Sequence, residues 1–235
     1  MRIKKTNIGN FLSIPDLISL LNLSFGFIAI LLAMNYHIRL SAIAIIFAII
    51  FDSVDGWVAR RVGRTDEYGF GRNIDSLSDL VSFGVAPGIL LYSVCALKTP
   101  EFIPISTIIS LFMVITGVLR LTRYNVISDH FDLKGFIGLP IPATAMLIST
   151  FILTGIFNIN SNLAISIAFM LMFISSVLMI SNTKYPKFNN IKVIIIAIVL
   201  IILIIIPLPI YYNRIDIPAA ILFILTLIFA TKLFK

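Results

Sequence analysis

Residues 41–61 read SAIAIIFAIIFDSVDGWVARR, and residues 71–83 read GRNIDSLSDLVSF. The first stretch opens as an unbroken apolar run and carries two aspartates just before two arginines. A run of about 20 apolar residues, rising 1.5 Å each, is long enough to cross a bilayer. Seven further runs flank it, so that eight spans are predicted at about 13–34, 41–61, 73–97, 103–122, 138–157, 162–181, 191–210 and 216–234. Composition agrees: the 235 residues are 59% hydrophobic and 12% charged, about half the charge of a soluble domain. A mean hydropathy of +1.06 also excludes disorder, which needs low hydrophobicity and high net charge. The first run follows a short basic head with no cleavage-site pattern, so it is read as a span and not a signal peptide. No internal repeat or linker divides the chain. The reading is one all-α integral membrane domain over residues 1–235. A single cysteine, Cys95, permits no internal disulfide.

Net charge is +7, with 18 Lys and Arg against 11 Asp and Glu. Alternating the eight spans puts Arg2, Lys4, Lys5, Arg60, Arg61, Arg64, Arg72, Arg120, Arg123, Lys134, Lys184, Lys187, Lys192, Lys232 and Lys235 on one side. Only Arg39, Lys98 and Arg214 fall on the other. Positive residues accumulate in cytoplasmic loops, so both termini are predicted to be cytoplasmic. The excess charge is thereby topological, and no nucleic-acid partner is expected. Contact with membrane lipid is expected instead.

Most of the acids sit in loops or at helix ends. Asp52, Asp55, Asp75 and Asp79 do not: four acids within 28 residues lie inside the cytoplasmic ends of spans two and three. Asp52 stands eight residues before Arg60, which is about 12 Å deeper along a helix. An aspartate at such depth costs about 2.5–3.5 kcal/mol unless it faces a polar cavity. Asp52, Asp55, Gly56 and Ala59 follow the i, i+3, i+4, i+7 stripe of one helix face, and Gly71, Asp75, Ser78, Asp79 and Ser82 share another. Antiparallel neighbours joined by a short loop bring the stripes face to face. Clustered carboxylates repel unless a cation neutralises them, and an all-oxygen donor set suits Mg²⁺, Mn²⁺ or Ca²⁺. Two other readings compete. One is a structural polar patch between helices. The other is a cation-coupled transporter, although such sites usually lie near the midplane between repeated halves, and here the acids hug one end.

The pattern Asp52-x-x-Asp55-Gly56-x-x-Ala59-Arg60, spacer, Gly71-x-x-x-Asp75-x-x-x-Asp79 resembles the signature of the CDP-alcohol phosphotransferase family. The spacer has ten residues where the family usually has eight or nine; Gly69 would restore eight but leaves five residues between itself and Asp75 instead of three. Ser82-Phe-Gly-Val-Ala-Pro87, Gly117-Val-Leu-Arg120-Leu-Thr-Arg123-Tyr-Asn125 and Phe136-Ile-Gly-Leu-Pro140-Ile-Pro142 resemble the phosphatidylserine synthase branch, and Asn22 is similar to an early family position. The likeness covers 12–145, read as the catalytic region, leaving 146–235 as additional packing helices.

The resemblance implies transfer of a phosphatidyl-type group from a CDP-linked lipid to L-serine, with release of CMP. A family runner-up takes another acceptor, glycerol 3-phosphate or inositol phosphate. The resemblance further implies two divalent ions held by Asp52, Asp55, Asp75 and Asp79, with Asp79 as the base that receives the hydroxyl proton. Gly56, Ala59, Arg60, Gly71 and Asn22 are expected on the CDP-lipid side, and Arg120, Arg123 and Asn125 on the serine side. Chemistry at headgroup depth places the enzyme in the cell membrane with its site facing the cytoplasm, and a homodimer is implied. The remaining residues read more plainly. His37 and His130 are predicted in solvated loops and Trp57 as an interfacial anchor. Gly26, Gly84, Gly88 and Gly117 are predicted as close-packing positions between helices.

Overall fold

The computed structural model describes residues 8–62, 69–128, 135–186, 191–206, 211–212 and 215–231. Its helices are α1 (Ile14–Met34), α2 (Ile38–Val62), α3 (Phe70–Asp79), α4 (Ala86–Lys98), α5 (Ile103–Ser128), α6 (Ile141–Leu153), α7 (Ser161–Ile180), α8 (Ile191–Ile205) and α9 (Ile217–Thr231). A π-helical segment, Leu80–Val85, joins α3 to α4, so Phe70–Lys98 forms one span. Each predicted span has a helix at its place. Six of the described helical segments are long and apolar enough to cross a membrane, and α8 and α9 are shorter apolar helices. The protein is an all-α, multi-pass membrane protein.

Its packing follows membrane logic. Helix α1 buries Pro15, Asp16, Ser19, Asn22, Gly26, Ala29 and Ala33, and exposes Leu17, Leu21, Phe27, Ile28 and Leu31. Small and polar side chains thus face other helices while large apolar ones face lipid, because lipid tails give Leu and Ile nothing to escape from. Two helices approach closely at Gly26: a Cβ there would lie 2.6 Å from the Ser82 Cα. Helix α1 packs along α2 and against α3 and α4, while α5 packs on α4 and α7, and α6 packs on α9.

Pro87 explains the π segment. Proline at the start of α4 has no N–H to return to the carbonyl four residues earlier, and its ring crowds that carbonyl. Widening the preceding turn relieves both. A short ladder was not expected: β1 (Phe136–Ile137) pairs antiparallel with β2 (Lys184–Tyr185). Its first strand lies just ahead of the span predicted from 138. Gly138 has φ +77, and Pro140 sits extended at the N-cap, so helix α6 begins only at Ile141.

Candidate active site

The site is built from the first half of α1, the end of α2, the start of the third span and the end of α5. Asp52, Asp55 and Asp75 each offer a carboxylate oxygen, and these oxygens all lie within 4.8 Å of one another. Two helices running in opposite directions supply them. Asp79, one turn beyond Asp75, adjoins the trio and interacts with Asp52, Asp75 and Asp55. Asp55 and Asp79 are buried; Asp52 and Asp75 are partly open.

Helix α1 holds two of these carboxylates. Ser19 Oγ donates to Asp55 Oδ2 at 2.7 Å, and Asn22 Nδ2 donates to Asp79 Oδ1 at 3.1 Å. Ser82 Oγ in turn donates to the Asn22 carbonyl at 3.0 Å, tying the π segment to α1 beside the Gly26 contact. Ser19 was not among the expected site residues. The signal for it is the spacing Ser19, Asn22, Gly26, a polar and small stripe at i, i+3, i+7 that continues into Ala29 and Ala33. Asp16 is also buried, but its Oδ2 accepts from the Ser13 amide and hydroxyl, both at 2.8 Å, so it caps α1.

The two glycines flanking the ten-residue spacer do different work. Gly69 is the left-handed N-cap of α3, with φ +69, where a side chain is disfavoured. Gly71 is helical and buried one turn before Asp75, on the aspartate face. Gly56 and Ala59 lie partly buried on the α2 stripe, with Asp55 between them and Asp52. Arg60 is exposed, and its guanidinium lies over Gly56: a Cβ added there would be 3.4 Å from an Arg60 terminal nitrogen. Trp57 is exposed on the opposite side, with the Arg61 guanidinium 4.3 Å from its ring centre.

Arg120 and Arg123 part company. Arg120 is only 6% exposed, its electrostatic partners include Asp79 and Asp52, and its Nε has no hydrogen-bond partner among protein atoms. Its guanidinium stands 5.5 Å from the Tyr124 ring centre. Arg123 turns to the β1–β2 side instead. It donates to the Ile180, Ile137, Met179 and Ser181 carbonyls at 2.8, 3.1, 3.0 and 3.0 Å. Three of these end α7, where the last carbonyls lack helical partners. Of the two arginines expected on the serine side, Arg123 thus has its guanidinium engaged by four main-chain carbonyls, and Arg120 is the one that lies beside the aspartates. Asn125 bonds across to α3, its Nδ2 donating to Ser76 Oγ at 2.8 Å. His37 lies at the opposite end of the bundle. His130, Arg64 and Lys134 fall outside the described residues.

The donor set fits a hard divalent cation. Three clustered carboxylates supply anionic oxygens, and Asn22 Oδ1, fully buried beside Asp79, is a neutral oxygen with no hydrogen-bond partner. Like charges this close favour an ion between them, and oxygen-only donors select Mg²⁺, Mn²⁺ or Ca²⁺ over softer metals.

Comparison with known proteins agrees with this geometry. The family model for CDP-alcohol phosphatidyltransferase matches residues 12–182. The match runs past 145 and ends just after α7. The chain is 45% identical over 180 residues to the archaetidylserine synthase of Methanothermobacter thermautotrophicus, covering 77% of this chain and 72% of that one. It is 41% identical over 185 residues to a CDP-diacylglycerol--serine O-phosphatidyltransferase of Methanocaldococcus jannaschii, covering 78% and 79%. A Bacillus subtilis protein of the same name is 42% identical over 134 residues, covering 57% and 71%. With nearly three quarters of its length inside the match and its four motif aspartates gathered at one end of the bundle, this chain belongs to the CDP-alcohol phosphatidyltransferase family.

Proposed function

We propose that this protein transfers the phosphatidyl-type group of a CDP-activated membrane lipid to L-serine, releasing CMP. The observation that carries the reading is the convergence of Asp52, Asp55, Asp75 and Asp79 from two antiparallel helices, in a chain whose relatives bear serine-transferase names. Divalent ions held by these aspartates would neutralise the pyrophosphate and polarise the attacked phosphorus. The serine hydroxyl oxygen forms the new bond to phosphorus, the bond from phosphorus to the CMP oxygen breaks, and the hydroxyl proton passes to Asp79. Asp79 suits that task because Asn22 fixes one of its oxygens. A positioned carboxylate takes a proton that leaves during attack, which is general-base catalysis. Ser19 orients Asp55 in the same way. Gly56 and Ala59 leave room on α2 for the nucleotide, and Arg60 offers planar donors to phosphate at the rim.

Acceptor choice follows from cation supply. Among the described residues, Arg120 is the one buried cationic side chain. One guanidinium matches the single carboxylate of serine, held bidentately. A phosphorylated acceptor carries a dianion and calls for more, and Arg123 is already engaged by carbonyls. Serine is therefore favoured over glycerol 3-phosphate or inositol phosphate. The reading includes eight spans, cytoplasmic termini, a cytoplasm-facing site in the cell membrane, two ions per site, and a homodimer. It places the catalytic region within 12–145 and further packing helices beyond.

The test is direct. Purified protein is incubated with CDP-archaeol or CDP-diacylglycerol, Mg²⁺ or Mn²⁺, and either serine, glycerol 3-phosphate or inositol phosphate, and CMP is measured. Serine-dependent CMP release is expected. Release with a phosphorylated acceptor alone would overturn the assignment.

A further inference from the structure

A cavity lies at the end of the bundle away from the aspartates. Tyr36 and His37 follow α1, fourteen or more residues from Asn22, which is about 21 Å along a helix. Lys98 closes the third span that Asp75 and Asp79 begin. These residues, with Arg39, Asn158 and Asp216, line a cavity of about 920 Å³. That is the size of a site for a sizeable organic ligand. Its apolar wall is Val94, Leu97, Leu153 and Phe157.

The polar rim is rich in donors and poor in acceptors. Among the described residues Asp216 is the only carboxylate on it, and both its oxygens are taken: Oδ2 by Arg39 at 2.8 Å and Oδ1 by the Ala219 amide at 3.2 Å. Lys98 Nζ donates to Asn158 Oδ1 at 3.2 Å, which turns the Asn158 amide into a further donor beside the ammonium. The lip is held by an unusual backbone: Tyr36 has φ +59, in the left-handed region that a tyrosine rarely adopts, so that His37 and Arg39 follow a tight reversal between α1 and α2. The third span, 29 residues from Phe70 to Lys98, is about 42 Å long, so Lys98 reaches the headgroup layer.

We propose that this cavity binds an anionic phospholipid of the leaflet opposite the active site. Lys98 and Asn158 hold its phosphodiester, and its glycerol and upper chains lie along Val94, Leu97, Leu153 and Phe157. One ammonium not offset by a carboxylate, with a neutral amide donor beside it, at headgroup depth above an apolar wall, complements a net-negative amphiphile better than a zwitterionic one.

Full-length protein in phosphatidylcholine nanodiscs is titrated with a photoactivatable phosphatidylglycerol, and crosslinked peptides are mapped. Crosslinks are expected within residues 94–98 and 152–158. Half-saturation should rise about tenfold in a Lys98→Glu, Asn158→Asp double variant, since one charge-assisted contact is worth at least that factor. These residues are surface-exposed, so an unchanged melting transition is expected and verifies the fold. Equal labelling of variant and wild type, or labelling by a photoactivatable phosphatidylcholine to the same extent, overturns the proposal. Complete displacement by millimolar inorganic phosphate marks a soluble-anion site and overturns the lipid assignment.

Discussion

Replacing Arg120 by alanine should cripple serine use while sparing the nucleotide. The guanidinium is buried, its Nε is unmatched within the protein, and its electrostatic partners include the Asp79 and Asp52 carboxylates. A hydrogen bond to a charged group is worth about 1.5–3 kcal/mol, and 1.4 kcal/mol is tenfold, so the serine KM should rise about ten- to a hundredfold. The metal requirement should move the other way. Arg120 is a positive charge among the aspartates, so its loss makes the cluster more negative, and the metal concentration for half-maximal rate should stay level or fall. Lysine at this position keeps the charge but not the planar fork, and should recover part of the serine affinity. The assay is CMP release with serine, CDP-lipid and metal each varied in turn. An unchanged serine KM, or a rise confined to the CDP-lipid KM, would refute the pocket assignment.

Three further perturbations test the surrounding parts. Ser19→Ala frees one Asp55 oxygen and should raise the Mg²⁺ or Mn²⁺ needed for half-maximal rate about tenfold with the melting temperature nearly unchanged; wild-type turnover in excess EDTA would remove the metal from the mechanism altogether. Asp79→Asn should abolish transfer yet retain CDP-lipid binding in an equilibrium assay, because Asp52, Asp55 and Asp75 persist; loss of binding and turnover together would make Asp79 chiefly a ligand. Arg123→Ala strips donors from four carbonyls and should cost on the order of 3 kcal/mol, lowering the melting temperature by roughly 5–10 °C, whereas a serine KM effect without destabilisation would restore it to the acceptor pocket.

The spans were legible because bilayer crossing demands long apolar runs, and the aspartate stripes because four short acids inside such runs have few physical excuses. Depth and face both follow from helical spacing. What spacing alone left open was which side chain spends its donors on which neighbour. Arg120 and Arg123 look alike in sequence, three residues apart near the end of one helix. They diverge only because α7 ends beside one of them, a contact between residues more than fifty positions apart. The β1–β2 ladder is equally non-local, and two-residue strands carry no periodicity. Ser19 was obscured because a lone serine in a span is usually bonded to its own helix, as Ser24 and Ser53 are. Asp16 was read as a helix-end residue, and its capping bonds agree.

The wide turn at Leu80–Val85 has a consequence for how this span can evolve. An uninterrupted α-helix advances about 100° per residue, so one supernumerary residue rotates everything before it by that angle relative to everything after. The aspartates of α3 are thereby set in phase independently of the packing face of α4, whose buried residues include Leu90, Leu91 and Val94. Deleting one residue between 80 and 85 would yield a more regular helix with an unaltered motif, yet it would swing Asp75 and Asp79 away from α2. The span works as two half-helices keyed by a spacer, and the count of residues in that spacer is as much a part of the family motif as the aspartates are.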